Sequence, residues 1–182
     1  MKAKDYLENH WIENKIWTHL EFPRHQLRLK TCASYLEGEK FIDIGCALGH
    51  STNILKKFCP GAWSGLEFWQ KAIPQARELF PKIHFYYSND FNLLPICGQH
   101  DGVVCSEVIE HVEDDQALVN GLISITKKIL VISTPCIKVD DPGHLRLYTA
   151  ATLGKLFAGR DFKIIKTPKF FYVIMKGRNY GK

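Results

Sequence analysis

The sequence predicts an α/β fold, a three-layer α/β/α sandwich, on three observations. From Lys40 onward, short apolar runs alternate with longer stretches of helical spacing. The short runs are rich in Val, Ile and aromatics and nearly continuous, as strands buried on both faces are. They close at Gly, Asn, Asp or Ser, where a chain leaves a sheet. Alternation of this kind puts helices on both faces of a mostly parallel sheet.

The five runs expected as strands are "KFIDIG", "AWSGLE", "KIHFYYS", "DGVVCS" and "KKILVIS", beginning at Lys40, Ala62, Lys82, Asp101 and Lys127. Between them, "STNILKKF", "FWQKAIPQARELF" and "DDQALVNGLISIT" repeat apolar residues at helical spacing. Pro74 is tolerable only in a first turn, so the second helix begins near Ile73 or is kinked there. Residues 5–36 read as one or two helices broken near Pro23. The closing stretch "DFKIIKTPKFFYVIMKG" reads as two strands joined at Thr167–Pro168–Lys169, a turn short enough to make the pair antiparallel.

A chain of 182 residues supports one domain with its own core. We expect a single domain over 1–182, with a helical cap over 1–38 and an α/β core over 39–182. Hydrophobic residues at 46% and charged residues at 24% exclude a disordered chain. No apolar run reaches the roughly 18 residues of a membrane span. "MKAKDYLENHWIENK" lacks the apolar centre of a signal peptide, so the expected location is the cytoplasm. Six scattered cysteines without a CxxC pair suit reduced thiols and argue against a zinc ribbon. The formal charge of +5 leans towards anionic partners without establishing nucleic-acid binding.

In an open α/β sheet, ligands sit beyond the carboxyl ends of the strands. The first strand ends there in "FIDIGCALGHST". Gly45 and Gly49 permit a tight turn, and Ser51 or Thr52 can cap the next helix. Neither the dinucleotide fingerprint nor a phosphate-cradling P-loop is present. Asp43 would repel a pyrophosphate but suits a ligand carrying an ammonium or a sulfonium. Glu67 ends the second strand, where it can accept both hydroxyls of a ribose. Asp90 comes after the third, where it can take an adenine amino group.

With one acid at the end of each successive strand, the chain resembles the class I S-adenosylmethionine-dependent methyltransferases, over nearly everything from Lys40 to Lys176. "FIDIGCALG" resembles the family's D-x-G-x-G-x-G loop, with Ala47 at the middle glycine, and "GLEFW" resembles the acidic segment that holds the ribose. "SNDFNLLP" resembles the adenine segment, with Asp90 on the amino group and the Phe91 amide on the ring. "HDGVVCSEVIEHV" resembles the fourth-strand motif of the type 11 and 12 subgroups. "ISTP" with "GHLRLYTAATL" resembles their fifth strand and the loop and helix after it. The resemblance implies a Rossmann-like seven-stranded sheet of order 3-2-1-4-5-7-6, with strand 7 antiparallel. It implies S-adenosyl-L-methionine as cofactor, S-adenosyl-L-homocysteine as product, and cofactor contacts at Asp43, Gly45, Ala47, Gly49, Glu67, Phe68, Asp90, Phe91 and Ser106.

The stretch "CSEVIEHVEDD" (105–115) then lies beside the reactive methyl. On a helix, Glu107, Glu110 and His111 would share one face. His111, His144 and Glu107 are the expected catalytic groups, with Arg146 or Tyr148 as a substrate contact and Cys136 a bystander. The competing reading makes Glu110 a first-turn acid and His111 a packed core histidine. Glu107, Glu110, His111 and His144 also resemble the metal-ligand set of the small-RNA 3′-terminal 2′-O-methyltransferases, so a divalent ion is the alternative there. The expected function is O-methylation of a small or carrier-borne acceptor. The rivals are RNA, met by the charges of "PRHQLRLK" and "KGRNYGK", and a non-catalytic module that binds S-adenosylmethionine and a partner.

Overall fold

The computed structural model of the protein describes residues 16–178. After a 3₁₀ helix at Ile16–Glu21 come α1 (Pro23–Ala33), β1 (Lys40–Ile44), α2 (His50–Phe58), β2 (Ala62–Glu67), α3 (Ala72–Leu79) and β3 (His84–Tyr87). The chain continues through α4 (Leu94–Cys97), β4 (His100–Ser106), a 3₁₀ turn at Ile109–His111, α5 (Asp115–Ile125), β5 (Thr126–Pro135), α6 (Ala150–Leu156), β6 (Phe162–Lys166) and β7 (Phe170–Lys176). The first 15 residues of the expected cap and the last four of "KGRNYGK" lie outside the described residues. Among the described residues no helix is long and apolar enough to cross a membrane.

The seven strands form one sheet of order β3-β2-β1-β4-β5-β7-β6. The first five strands pair in parallel, and β7 runs antiparallel to both β5 and β6. Strand periodicity divides the core into two layers. Ile42, Ile44, Val103, Cys105, Leu130 and Ile132 face α5 and α6, meeting Leu118, Leu122 and Leu153. Their neighbours in sequence, Phe41, Val104, Ile129 and Val131, face α1 and α2 through Leu29, Cys32 and Leu55.

Local chemistry sets the helix starts. Pro23 opens α1 after an extended Phe22, and Pro74 sits in the first turn of α3, where a missing N–H costs nothing. The Asp114 carboxylate accepts the Ala117 N–H at 2.9 Å and starts α5. Upstream of that cap the expected helical face does not form. Ser106 is still in β4, and Glu107 has φ +57°, a left-handed backbone that ends the strand and cannot continue into a helix. The closing hairpin turns at Thr167, whose N–H donates to the Phe170 carbonyl at 2.8 Å. Since Phe170 pairs with Pro135, the turn brings Lys169 to the carboxyl end of β5.

Candidate active site

The loop after β1 is shaped by three left-handed residues, Gly45 (φ +76°), Ala47 (φ +46°) and Gly49 (φ +83°). A Cβ at Gly45 would collide with a Val108 methyl, so that glycine lets the loop pass against the segment after β4. Asp43 is buried and works from behind the loop. Its Oδ2 accepts from Ser51 Oγ at 2.6 Å and Thr52 Oγ1 at 2.8 Å, tying β1 to the first turn of α2. Burial nevertheless pushes its carboxyl up to about 6, against the help of both hydroxyls.

Glu67 stitches the loop to β2. Its Oε2 accepts the Ala47 N–H at 2.6 Å, and its Oε1 accepts those of Phe68 at 2.7 Å and Trp69 at 2.9 Å. Asp90 is exposed and its Oδ1 accepts the Asn92 N–H at 2.8 Å. The rings of Phe68 and Phe91 meet edge to face at 5.3 Å. Gly121 of α5 touches the Phe91 backbone so closely that a Cβ there would collide with the carbonyl oxygen. Glu67 closes β2, and Asp90 and Phe91 follow β3.

On the other side of the loop lies a cavity of about 480 Å³, lined by Gly45, Ala47, Ser106, Glu107, His111 and His144 among others. The structure separates the carboxylates of "CSEVIEHVEDD". Glu107 turns towards α1, where it pairs with Arg28 and lies 3.8 Å from His25 Nδ1. The expected set of Glu107, Glu110, His111 and His144 is therefore corrected to three, because the left-handed backbone at Glu107 sends its side chain the other way. His19, His25 and Glu107 also approach one another, but the Arg28 guanidinium on Glu107 opposes a cation there.

Glu110, His111 and His144 bring one ligand atom each within 4.8 Å of one another. Glu110 is buried: Oε2 accepts from Thr134 Oγ1 at 3.0 Å, Oε1 has no hydrogen-bond partner, and burial pushes the carboxyl upward. His111 Nδ1 lies 2.9 Å from the Gly143 carbonyl, which can only accept. Nδ1 therefore carries the proton, leaving Nε2 as the basic atom. Burial and then His144, whose ring lies edge-on at 4.6 Å, hold the His111 pKa below its ordinary value.

Two expected substrate contacts are spent on structure. Arg146 pairs with Asp115 at 2.5 Å, and the buried Tyr148 hydroxyl donates to the same carboxylate at 2.8 Å. Both staple the loop after β5 to α5. Cys136 is half-buried, its thiol directed to the Thr167 carbonyl at 3.3 Å. The groups that sequence reading missed are His25 and Arg28 of α1, Asp141, whose Oδ1 accepts the Gly143 N–H at 2.8 Å, and Lys169. Arg28 shares the inner stripe of α1 with Leu29 and Cys32, and a charge on such a stripe is the signal that could have found it.

A family model described as a methyltransferase domain, of the type 11 group, matches residues 42–128. A probable S-adenosylmethionine-dependent methyltransferase of Mycolicibacterium smegmatis is 23% identical over 175 residues, covering 91% of this chain. The match takes in 64% of that relative, so the chain spans just under two thirds of its length. Among solved structures, the magnesium protoporphyrin IX methyltransferase of Synechocystis PCC 6803 with bound S-adenosylmethionine superposes with a TM-score of 0.71 at 15% identity, over 97% of this chain and 98% of that one. An Aquifex aeolicus S-adenosylmethionine-dependent methyltransferase gives 0.70 at 16%, over 89% and 97%. At these identities the structural likeness is one of fold. With the domain match over residues 42–128 and the shared strand order, the chain is similar in sequence and in fold to the S-adenosylmethionine-dependent methyltransferases.

Proposed function

We propose that the protein transfers a methyl group from S-adenosylmethionine to an oxygen of a small or carrier-borne acceptor. The observation that carries this reading is a single juxtaposition. The stitched loop after β1 separates the Glu67–Asp90 seat from the 480 Å³ cavity, and His111 lines that cavity. The residues fit the cofactor. The raised Asp43 carboxyl is the group that a nearby sulfonium and ammonium would hold ionised.

S-adenosylmethionine supplies an electrophilic methyl group. This chain aligns it against the acceptor, and alignment alone can be worth roughly 7–11 kcal/mol of barrier. His111 takes the acceptor's proton on Nε2 while the Gly143 carbonyl holds Nδ1–H and the ring's orientation. Its lowered pKa keeps the imidazole neutral, and so able to accept, at pH 7. Equilibrium dialysis with S-adenosylmethionine tests the reading. Absence of binding at near-millimolar cofactor refutes it, and binding without transfer to any acceptor pool supports the non-catalytic module instead.

A second reading has its own observation, the partnerless buried Oε1 of Glu110 beside His111 and His144. A divalent ion there would polarise an acceptor hydroxyl, with the Gly143 carbonyl orienting one ligand from behind. RNA is the acceptor this reading brings with it. Of the cations in "PRHQLRLK", Arg28 is buried and paired, leaving Arg24 and Lys30 to solvent. Metal analysis of protein purified without chelators, and assay in EDTA, separate an ion from a bare histidine base.

A further inference from the structure

We infer that the acceptor is a small molecule carrying an anionic group, a carboxylate or a phosphate, on an apolar body. The inference rests on the methyl-transfer reading and names its substrate class. Four cationic side chains line the cavity, Arg24, Arg28, Lys138 and Lys169, against two carboxylates, Glu107 and Asp141. Both carboxylates are engaged. Glu107 pairs with Arg28, and Asp141 accepts the Gly143 N–H and lies 3.8 Å from His144 Nε2.

Among the described residues, Arg24, Lys138 and Lys169 pair with no carboxylate. Arg24 spends its Nε on His25 Nε2 at 3.0 Å and lies over the Phe22 ring, which leaves its terminal nitrogens available. The three cations come from α1, from the loop after β5 and from the β6–β7 turn. The last two are locked together where the Cys136 N–H donates to the Lys169 carbonyl at 2.9 Å. In the same cavity, Arg28 is 2% exposed and its Nε has no hydrogen-bond partner.

The cofactor adds a further positive charge on this side of the loop. A protonated amine acceptor is repelled by that field, whereas an anion is drawn in, so the charge discriminates by repulsion as well as attraction. Ile137 and Val139, 37% and 42% exposed, flank Lys138 on the same wall and offer an apolar surface beside the charge.

The test uses the full chain saturated with S-adenosylhomocysteine and titrated at low salt with benzoate, phenyl phosphate, benzamide and benzylamine. Benzoate or phenyl phosphate binds, and the stronger of the two identifies the anion. Benzylamine does not bind, and added salt weakens the anions. The Lys138→Gln/Lys169→Gln double variant loses about tenfold in anion affinity. Its affinity for S-adenosylhomocysteine is unchanged, which assigns the lysines to the acceptor and not to the cofactor's own carboxylate. Equal binding of benzamide, or anion binding untouched by the double variant, overturns the inference. So does displacement of phenyl phosphate by a short RNA at a hundredfold lower concentration, in favour of a polynucleotide. Failure of S-adenosylhomocysteine to bind at all refutes the methyl-transfer reading itself and is recognisable before any acceptor probe is added.

Discussion

Arg28 on α1 and Glu107 beyond β4 form an ion pair that joins the first long helix to the end of a central strand. Arg28 is buried, so Glu107→Gln leaves a positive charge without its counterion. We expect a loss of about 3 kcal/mol in chemical denaturation. The double variant Arg28→Met/Glu107→Leu removes both charges and should regain most of it. A Glu107→Gln protein as stable as the parent would mean that the pair contributes nothing to the fold.

Asp43 titrates near 6 in the folded chain against 3.8 when free, so the folded state binds more protons between those values. Its ionisation opposes folding: stability from this group is full below pH 3.8 and is lost as pH rises through 6, by about 3 kcal/mol. Asp43→Asn should be more stable than the parent at pH 7 and lose that advantage at pH 4. The same variant should bind S-adenosylmethionine at least tenfold more weakly. Urea titrations at the two pH values, alongside dialysis, check both halves.

Gly121→Ala puts a methyl group against the Phe91 carbonyl, where backbone and not a flexible side chain must yield. We expect about 2 kcal/mol of destabilisation. A raised KM for S-adenosylmethionine with kcat nearly kept should accompany it, because the shift falls on the segment proposed to hold adenine. A fall in kcat alone would place the damage elsewhere.

His111→Gln removes the basic Nε2. Transfer should fall by roughly a hundredfold or more while cofactor affinity holds. In the parent, kcat should rise with pH through a value below 6.5 and stay level above it, since the base must be neutral and burial lowers its pKa. A profile still climbing above pH 8 would point to deprotonation of the acceptor itself.

Most of the architecture was legible because the strands carry their own signal. The apolar runs from Lys40, Ala62 and Lys127 coincide with β1, β2 and β5, and Pro74 marked the start of α3 to within a residue or two. The positions of Asp43, Glu67 and Asp90 near the carboxyl ends of β1, β2 and β3 were legible because their spacing follows that of the strands. The stretch 105–115 was not, because helical spacing presumes a helix. A single left-handed Glu107 turned one carboxylate towards α1 and left the next on β5's side through Thr134. Arg146 and Tyr148 were misplaced for a related reason. Asp115 lies far from both in sequence, and nothing local announces that it takes them. Neither does local sequence reveal that a hairpin turn delivers Lys169 to the cavity.

Glu67 holds Ala47, Phe68 and Trp69 by their amides before any nucleoside arrives. The entropy of ordering that seat is therefore spent in folding and not in binding. Cofactor capture should then run close to the rate of encounter, with little dependence on temperature beyond that of diffusion. Under the proposed ribose contact at Glu67, product release should depend on the lone pair that this carboxylate, already accepting three amides, keeps free.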